Sequence, residues 1–248
     1  MEKREFIKEL LKHRYAHRGF HSKPEIAENS MTAFKLAVEK GFGIELDVHL
    51  TRDNKLAVIH DPSLKRTCGI DLNIEEMDLA DAQMYFLEES KDFIPDFEEV
   101  LKMVDGRVPL IVELKVVNAN HDAICRQVAE ILKKYKGPFC VESFDPRAVN
   151  WFKKNEPEFV RGQLAGALRK DDPQFSKIND FLLKSLWVNV SGKPDFVAYR
   201  FSDRDEKGLK NYKGPKFFWT IKNYADMKEV EAMGAAAIFE KFNPMDYE

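Results

Sequence analysis

Short apolar runs alternate with amphipathic helical stretches along nearly the whole chain, and this rhythm restricts the fold more than any other feature. The apolar runs fall at 15–19, 43–50, 110–116, 139–144, 160–165, 195–201, 216–222 and 236–242. Between them, apolar residues recur at helical spacing over 30–40, 96–104, 122–134, 147–155, 174–186, 206–211 and 224–233. A strand that feeds a helix returns as a parallel neighbour, because no tight turn joins parallel strands. Eight such strands in 248 residues predict a single-domain α/β protein over 1–248, a closed (β/α)8 barrel rather than an open sheet.

One run breaks the rhythm. Only TRDNK, residues 51–55, separates the second strand from LAVIHD at 56–61. A parallel crossover needs about a dozen residues or more. Residues 56–61 must therefore turn back, or extend above the barrel, with Arg52, Asp53 and Asn54 as the turn. Residues 62–95 then form an irregular, acidic insertion. Loops that follow barrel strands build the active-site face, so this insertion is expected to cap a substrate.

Bulk properties exclude several classes. Net charge is −3, with both signs spread along the chain, which gives no electrostatic basis for a nucleic-acid partner. Cys68, Cys125 and Cys140 are odd in number and form no C-x-x-C pair, so reduced thiols in a cytoplasmic protein are expected. The N-terminus, MEKREFIKELLKHRY, has charges in every apolar run and no signal-peptide core. No stretch reaches the roughly 18 apolar residues of a membrane span, so no stable membrane insertion is expected. Residues 2–13 place Phe6, Ile7, Leu10 and Leu11 on one helical face. Glu mixes with Lys on the other face, which favours a lid under the fold over a membrane-surface helix.

The candidate chemistry begins in GIELDVHL, residues 43–50. Strand alternation puts Glu45, Asp47 and His49 on one face and Ile44, Leu46 and Val48 on the other. Two carboxylates roughly 7 Å apart inside a barrel need a positive partner. A divalent metal meets that need, and hard oxygen donors suit Mg2+ or Ca2+. A polar face turned to solvent or to a salt-bridge partner is the alternative. In PLIVELKV, residues 109–116, Glu113 and Lys115 point one way from an apolar strand. They either neutralise each other, or act as a third metal ligand and a phosphate-binding cation.

His17 ends the first strand and His60 ends the extension, where two imidazoles would supply one base and one acid. His13, His21, His49 and His121 are read as structural. Arg18 either helps to bind phosphate or pairs with Glu28 or Asp61. Trp219, in KFFWTIKN, is either an apolar wall at the barrel mouth or a core residue. Glu240 is a weaker candidate for the same mouth. Ser143 lacks a G-x-S-x-G elbow, which argues against a serine nucleophile.

Taken in order, several segments resemble the glycerophosphodiester phosphodiesterase family. They are AHRGF (16–20), ENSMTAF (28–34), GIELDVHLTRDNKLAVIHDPSLKRTCG (43–69), IPDFEEVL (94–101), LIVELK (110–115), ESFDP (142–146) and WTIKN (219–223). The resemblance implies a TIM barrel with a small insertion after the second strand. It implies that Glu45, Asp47 and Glu113 hold Mg2+ or Ca2+, that His17 and His60 are the acid–base pair, and that Arg18 and Lys115 contact phosphate. The implied reaction belongs to lipid metabolism. It is hydrolysis of a small glycerophosphodiester to glycerol 3-phosphate and an alcohol, with His17 as base and His60 as acid. The last strand reads IFEKFNP (238–244) where many members have an I-x-T-D-x-P-like turn, which leaves the head group open.

Three other readings remain at this stage. A lysophospholipase D acting on lipids would use an apolar entrance containing Met77, Met84, Tyr85, Phe86 and Phe93. A Schiff-base aldolase would use Lys115, though nearby carboxylates would keep that amine protonated. A non-catalytic binding barrel would leave the histidines and acids without a task. The sequence carries no signal of oligomeric state.

Overall fold

The computed structural model describes residues 2–170 and 176–248. Among them run nine strands: β1 (Tyr15–His17), β2 (Gly43–Leu50), β3 (Leu56–Val58), β4 (Leu110–Leu114), β5 (Phe139–Ser143), β6 (Arg161–Ala165), β7 (Phe196–Arg200), β8 (Lys216–Ile221) and β9 (Ala236–Phe239). Their order is β1-β9-β8-β7-β6-β5-β4-β2-β3, and β1 also pairs with β2. Eight strands thus form a closed parallel ring, the (β/α)8 barrel that the alternation predicts. β3 stands outside the ring, antiparallel to β2 with Val48 opposite Val58. The expected reversal through residues 52–54 is therefore present, and the six-residue extension contributes three residues of ladder.

The chain divides into two compact units. The first is Tyr15–Val141. Every residue of β2 is buried, so both of its faces are covered, as parallel barrel strands require. The helix Met31–Glu39 begins at Ser30, whose side chain accepts the Ala33 N–H, and Phe97–Val104 begins at Asp96, which accepts from Glu98. Between β1 and the first of these helices the chain turns through Arg18 (φ 55°) and Gly19 (φ 81°). A Cβ at Gly19 would lie 2.8 Å from the Ala33 Cβ, so this turn accepts only glycine without movement.

The insertion is better organised than the sequence implies. It has helical turns at Lys65–Cys68, Ile74–Glu76 and Leu79–Ala82. Its Leu64, Ile74, Met77, Leu79, Ala82, Leu87 and Ile94 pack with Ala27, Ala57 and Ile59 into one buried cluster. Met77, expected in an apolar entrance, is instead a core residue at 7% exposure. Met84, Phe86 and Phe93 stay exposed, with the two phenylalanine rings stacked at 4.4 Å.

The second unit comprises the residues up to Arg14 and Glu142–Glu248. Its N-terminal helix, Lys3–Leu10, buries Ile7 and Leu10. Lys3 Nζ donates to the carbonyls of Pro157 and Phe159, both at 2.8 Å, and pairs with Asp195 at 2.7 Å. Phe6 and Leu11, expected on the same face, are half-buried. Asp145 caps the helix Pro146–Asn155, with proline in its first turn. The helix expected over 174–186 is found as Lys177–Lys184, and residues 174 and 175 lie outside the described residues. Cys68, Cys125 and Cys140 are in the thiol form, without a disulfide. Among the described residues no helix is long and apolar enough to cross a membrane.

Candidate active site

Strand register gathers the acids. β1 against β2 places His17 beside Glu45, and β2 against β4 places Asp47 beside Glu113. One oxygen from each of Glu45, Asp47 and Glu113 lies within 4.8 Å of the others, and all three side chains are buried. The three acids foreseen as metal ligands therefore meet at one point of the first unit. His17 Nε2 is 3.9 Å from Glu45 Oε2, and the Arg18 backbone N–H donates to that same oxygen at 3.0 Å.

Two cations balance part of this charge. Lys115 Nζ lies 2.6 Å from Glu113 Oε1 and 2.9 Å from Asp47 Oδ1. Arg18 Nη1 donates to Glu28 at 2.8 Å, and its Nε lies 3.5 Å from Asp47 Oδ2. Of the two partners considered for Arg18, Glu28 is the one observed; Asp61 belongs to Arg66, whose Nε donates to it at 2.5 Å. Arg66 also reaches Glu28 at 2.6 Å, which joins the Arg18 and His60 sides of the site.

The electrostatic consequences follow from burial and these charges. Burial pushes Glu113 up to about 7; the Asp47 charge adds to that rise and Lys115 opposes it. Burial would also raise Asp47, but Lys115, His60, Arg18 and the Asn29 hydrogen bond together hold it well below the usual carboxylate range. Burial would lower Lys115, yet Asp47 and Glu113 raise it, so its amine is a fixed cation. That state disfavours the Schiff-base reading, which needs a free amine. Burial lowers His60, with Asp47 working against the shift and Lys115 with it. His60 Nδ1 is 2.6 Å from Asp61 Oδ1, which fixes the ring and directs Nε2 away from that carboxylate.

The donor set fits a hard divalent cation. Three buried carboxylates offer only oxygen, and Asp47 Oδ1 has no hydrogen bond beyond its ion pair with Lys115. Arg18 Nε is buried without a hydrogen bond and faces Asp47 Oδ2 at 3.5 Å.

The chain matches the model of the glycerophosphoryl diester phosphodiesterase family over residues 17–242. It belongs to that family. A glycerophosphodiester phosphodiesterase of Caldanaerobacter subterraneus subsp. tengcongensis is 28% identical over 234 residues, covering 90% of this chain and 91% of that protein. One from Bacillus altitudinis is 43% identical over 112 residues, covering 42% of this chain and 45% of that protein. This chain therefore matches less than half of that relative's length. Among solved structures, an Oleispira antarctica phosphodiesterase in complex with the product sn-glycerol-3-phosphate has the same fold. Its TM-score is 0.76 at 22% identity, with 94% of each chain covered.

Asn29 is a partner of the acids that strand alternation passed over. Asn29, within the ENS segment, donates from Nδ2 to Asp47 Oδ2 at 2.8 Å and accepts the Asp47 N–H at 3.4 Å. Its φ of 53° is a left-handed conformation that asparagine tolerates. Trp219 belongs to the second unit, where Nε1 donates to the Ala198 carbonyl at 3.2 Å and the Arg200 guanidinium lies 5.9 Å from the ring centre. Glu240 lies 3.4 Å from Lys222 Nζ, and Ser143 Oγ accepts the Asp145 N–H at 3.1 Å.

Proposed function

We propose that the chain hydrolyses glycerophosphodiesters to glycerol 3-phosphate and an alcohol by histidine acid–base catalysis. The observation that carries this reading is the convergence of Glu45, Asp47 and Glu113 beside His17, in a site where His60 senses the Asp47 charge. Membership of the family, and the product bound to a protein of the same fold, support the substrate class.

Arg18 and Lys115 supply the positive charge that attracts and orients a phosphodiester anion. A divalent cation, Mg2+ or Ca2+, held by Glu45, Asp47 and Glu113 supplies further neutralisation of phosphoryl charge when bound. His17 takes a proton from the attacking water, whose oxygen bonds to phosphorus, and His60 delivers a proton from Nε2 to the alkoxide that leaves. Asp61 on Nδ1 favours the charged ring that this delivery requires. The compartment is proposed to be the cytoplasm, where free thiols persist.

A lipid substrate is the second reading, favoured by the exposed Met84, Phe86 and Phe93 on the insertion. Turnover of glycerophosphocholine, glycerophosphoethanolamine and glycerophosphoglycerol against lysophosphatidylcholine separates the two. The first reading expects release of glycerol 3-phosphate from the water-soluble esters. Cleavage of the lysolipid alone would replace it with the second.

A further inference from the structure

Alternation places His49 on the face of β2 that carries Glu45 and Asp47, two residues further along. Its ring is 1% exposed, and both nitrogens meet acceptors: Nδ1 lies 2.6 Å from Glu75 Oε1 and Nε2 lies 3.0 Å from the His60 carbonyl oxygen. A carbonyl oxygen only accepts, so Nε2 carries a proton and donates it there. We propose that His49 is a positioning residue for His60, held in place by Glu75 of the insertion.

The backbone geometry explains why a side chain is needed at this point. The β2–β3 ladder continues with the Ile59 N–H donating to the Asp47 carbonyl at 3.1 Å. The chain then leaves the ladder at His60, whose carbonyl takes the His49 ring as its partner. His60 is thus gripped twice, on its backbone by His49 and on its ring by Asp61 at 2.6 Å. Glu75 in turn sits in the turn Ile74–Glu76, where Ile74 is fully buried in the insertion's cluster and its N–H donates to the Pro62 carbonyl at 2.8 Å. Packing inside the insertion therefore sets the height of His60 above the carboxylates. On this account the insertion supports a reacting group in addition to any covering role.

The inference rests on the reading of His60 as a reacting group, and a double-mutant cycle separates the two. His49→Phe, His49→Gln, His60→Ala and the His49→Phe/His60→Ala pair are compared by kcat and KM on glycerophosphocholine. Loss of a group that orients a reacting side chain lowers activity by roughly 10–100-fold. His49→Phe should lower kcat by that factor, with KM moving much less. His49→Gln should recover most of the rate, because its amide nitrogen reaches the place of Nε2 as a donor. In the His60→Ala background, His49→Phe should change kcat by less than about twofold, since its route of action is gone.

Equal losses in both backgrounds would make His49 a general structural residue and overturn the proposal, as would an unchanged kcat in His49→Phe. A wild-type rate in His60→Ala would remove the reading of His60, and the proposal with it. Should His49→Phe not fold, Glu75→Gln enters the same cycle. A loss of kcat that disappears in the His60→Ala background is expected there, and a loss that persists overturns the proposal.

Discussion

Glu113 is a buried carboxylate whose pKa burial raises. Its folded-state pKa stands at about 7 against an ordinary 4.5, so the folded protein binds the proton more tightly than the unfolded chain does. In metal-free protein this contribution to stability is fully present below about 4.5 and is lost as pH rises through about 7. A cation needs the ionised form, so proton and metal compete. The Tm increase on adding saturating Mg2+ or Ca2+ should therefore be larger near pH 8 than near pH 5.5, roughly on either side of that value. An increase independent of pH would contradict this.

His60 gives a second test of sign. Its pKa is lowered from 6.5, so kcat/KM should fall as pH rises through a value below 6.5 if His60 is the acid. A fall toward acid pH from this residue would make it the base instead. His17→Ala and His60→Ala should each lower kcat by about 10²–10⁴-fold on an unactivated ester. With an activated leaving group, the His60→Ala defect should shrink and that of His17→Ala should not. At this scale, the residues with strand periodicity were readable, because alternation alone puts Glu45 with Asp47 and Glu113 with Lys115. Asn29, Arg66 and Glu75 were not readable as site partners, because their roles depend on contacts that loops make across the sequence.

Two elements carry the site beyond the barrel itself. One is the turn from β1 into Met31–Glu39, where Asn29 makes two hydrogen bonds to Asp47. Asn29→Ala leaves a buried carboxylate short of a donor, a loss of about 1–3 kcal/mol, and should also weaken metal binding by roughly 10–100-fold. Isothermal titration with Ca2+ checks the second figure, and unchanged affinity would contradict it. The other element is the insertion. Ile74 is fully buried, so Ile74→Ala should destabilise the protein by about 2–5 kcal/mol, read by denaturant unfolding. The same change should lower kcat through Glu75 and His49. Strand and helix positions were legible to within a few residues because apolar runs alternate with stretches of helical periodicity. The insertion was not, because its short turns lack a sustained period, and Met77 could not be told from an entrance residue until its cluster was seen.

For the whole molecule, eight apolar runs separated by helices admit few arrangements, and the observed strand order is the closed one. The small gap before β3 excluded a parallel crossover, and of the two arrangements left open the antiparallel return along β2 is the one observed. The ordered motifs gave the family from sequence, and the match over residues 17–242 establishes it. The head group was not legible, because residues 238–244 depart from the turn common in the family. The central claim is that a cation on Glu45, Asp47 and Glu113 serves a hydrolytic site. The direct measurement is release of glycerol 3-phosphate from glycerophosphocholine by purified protein, before and after EDTA and after return of Mg2+ or Ca2+. Release that EDTA abolishes and the returned ion restores is the predicted result; no release at all, or a full rate in EDTA, would contradict the account.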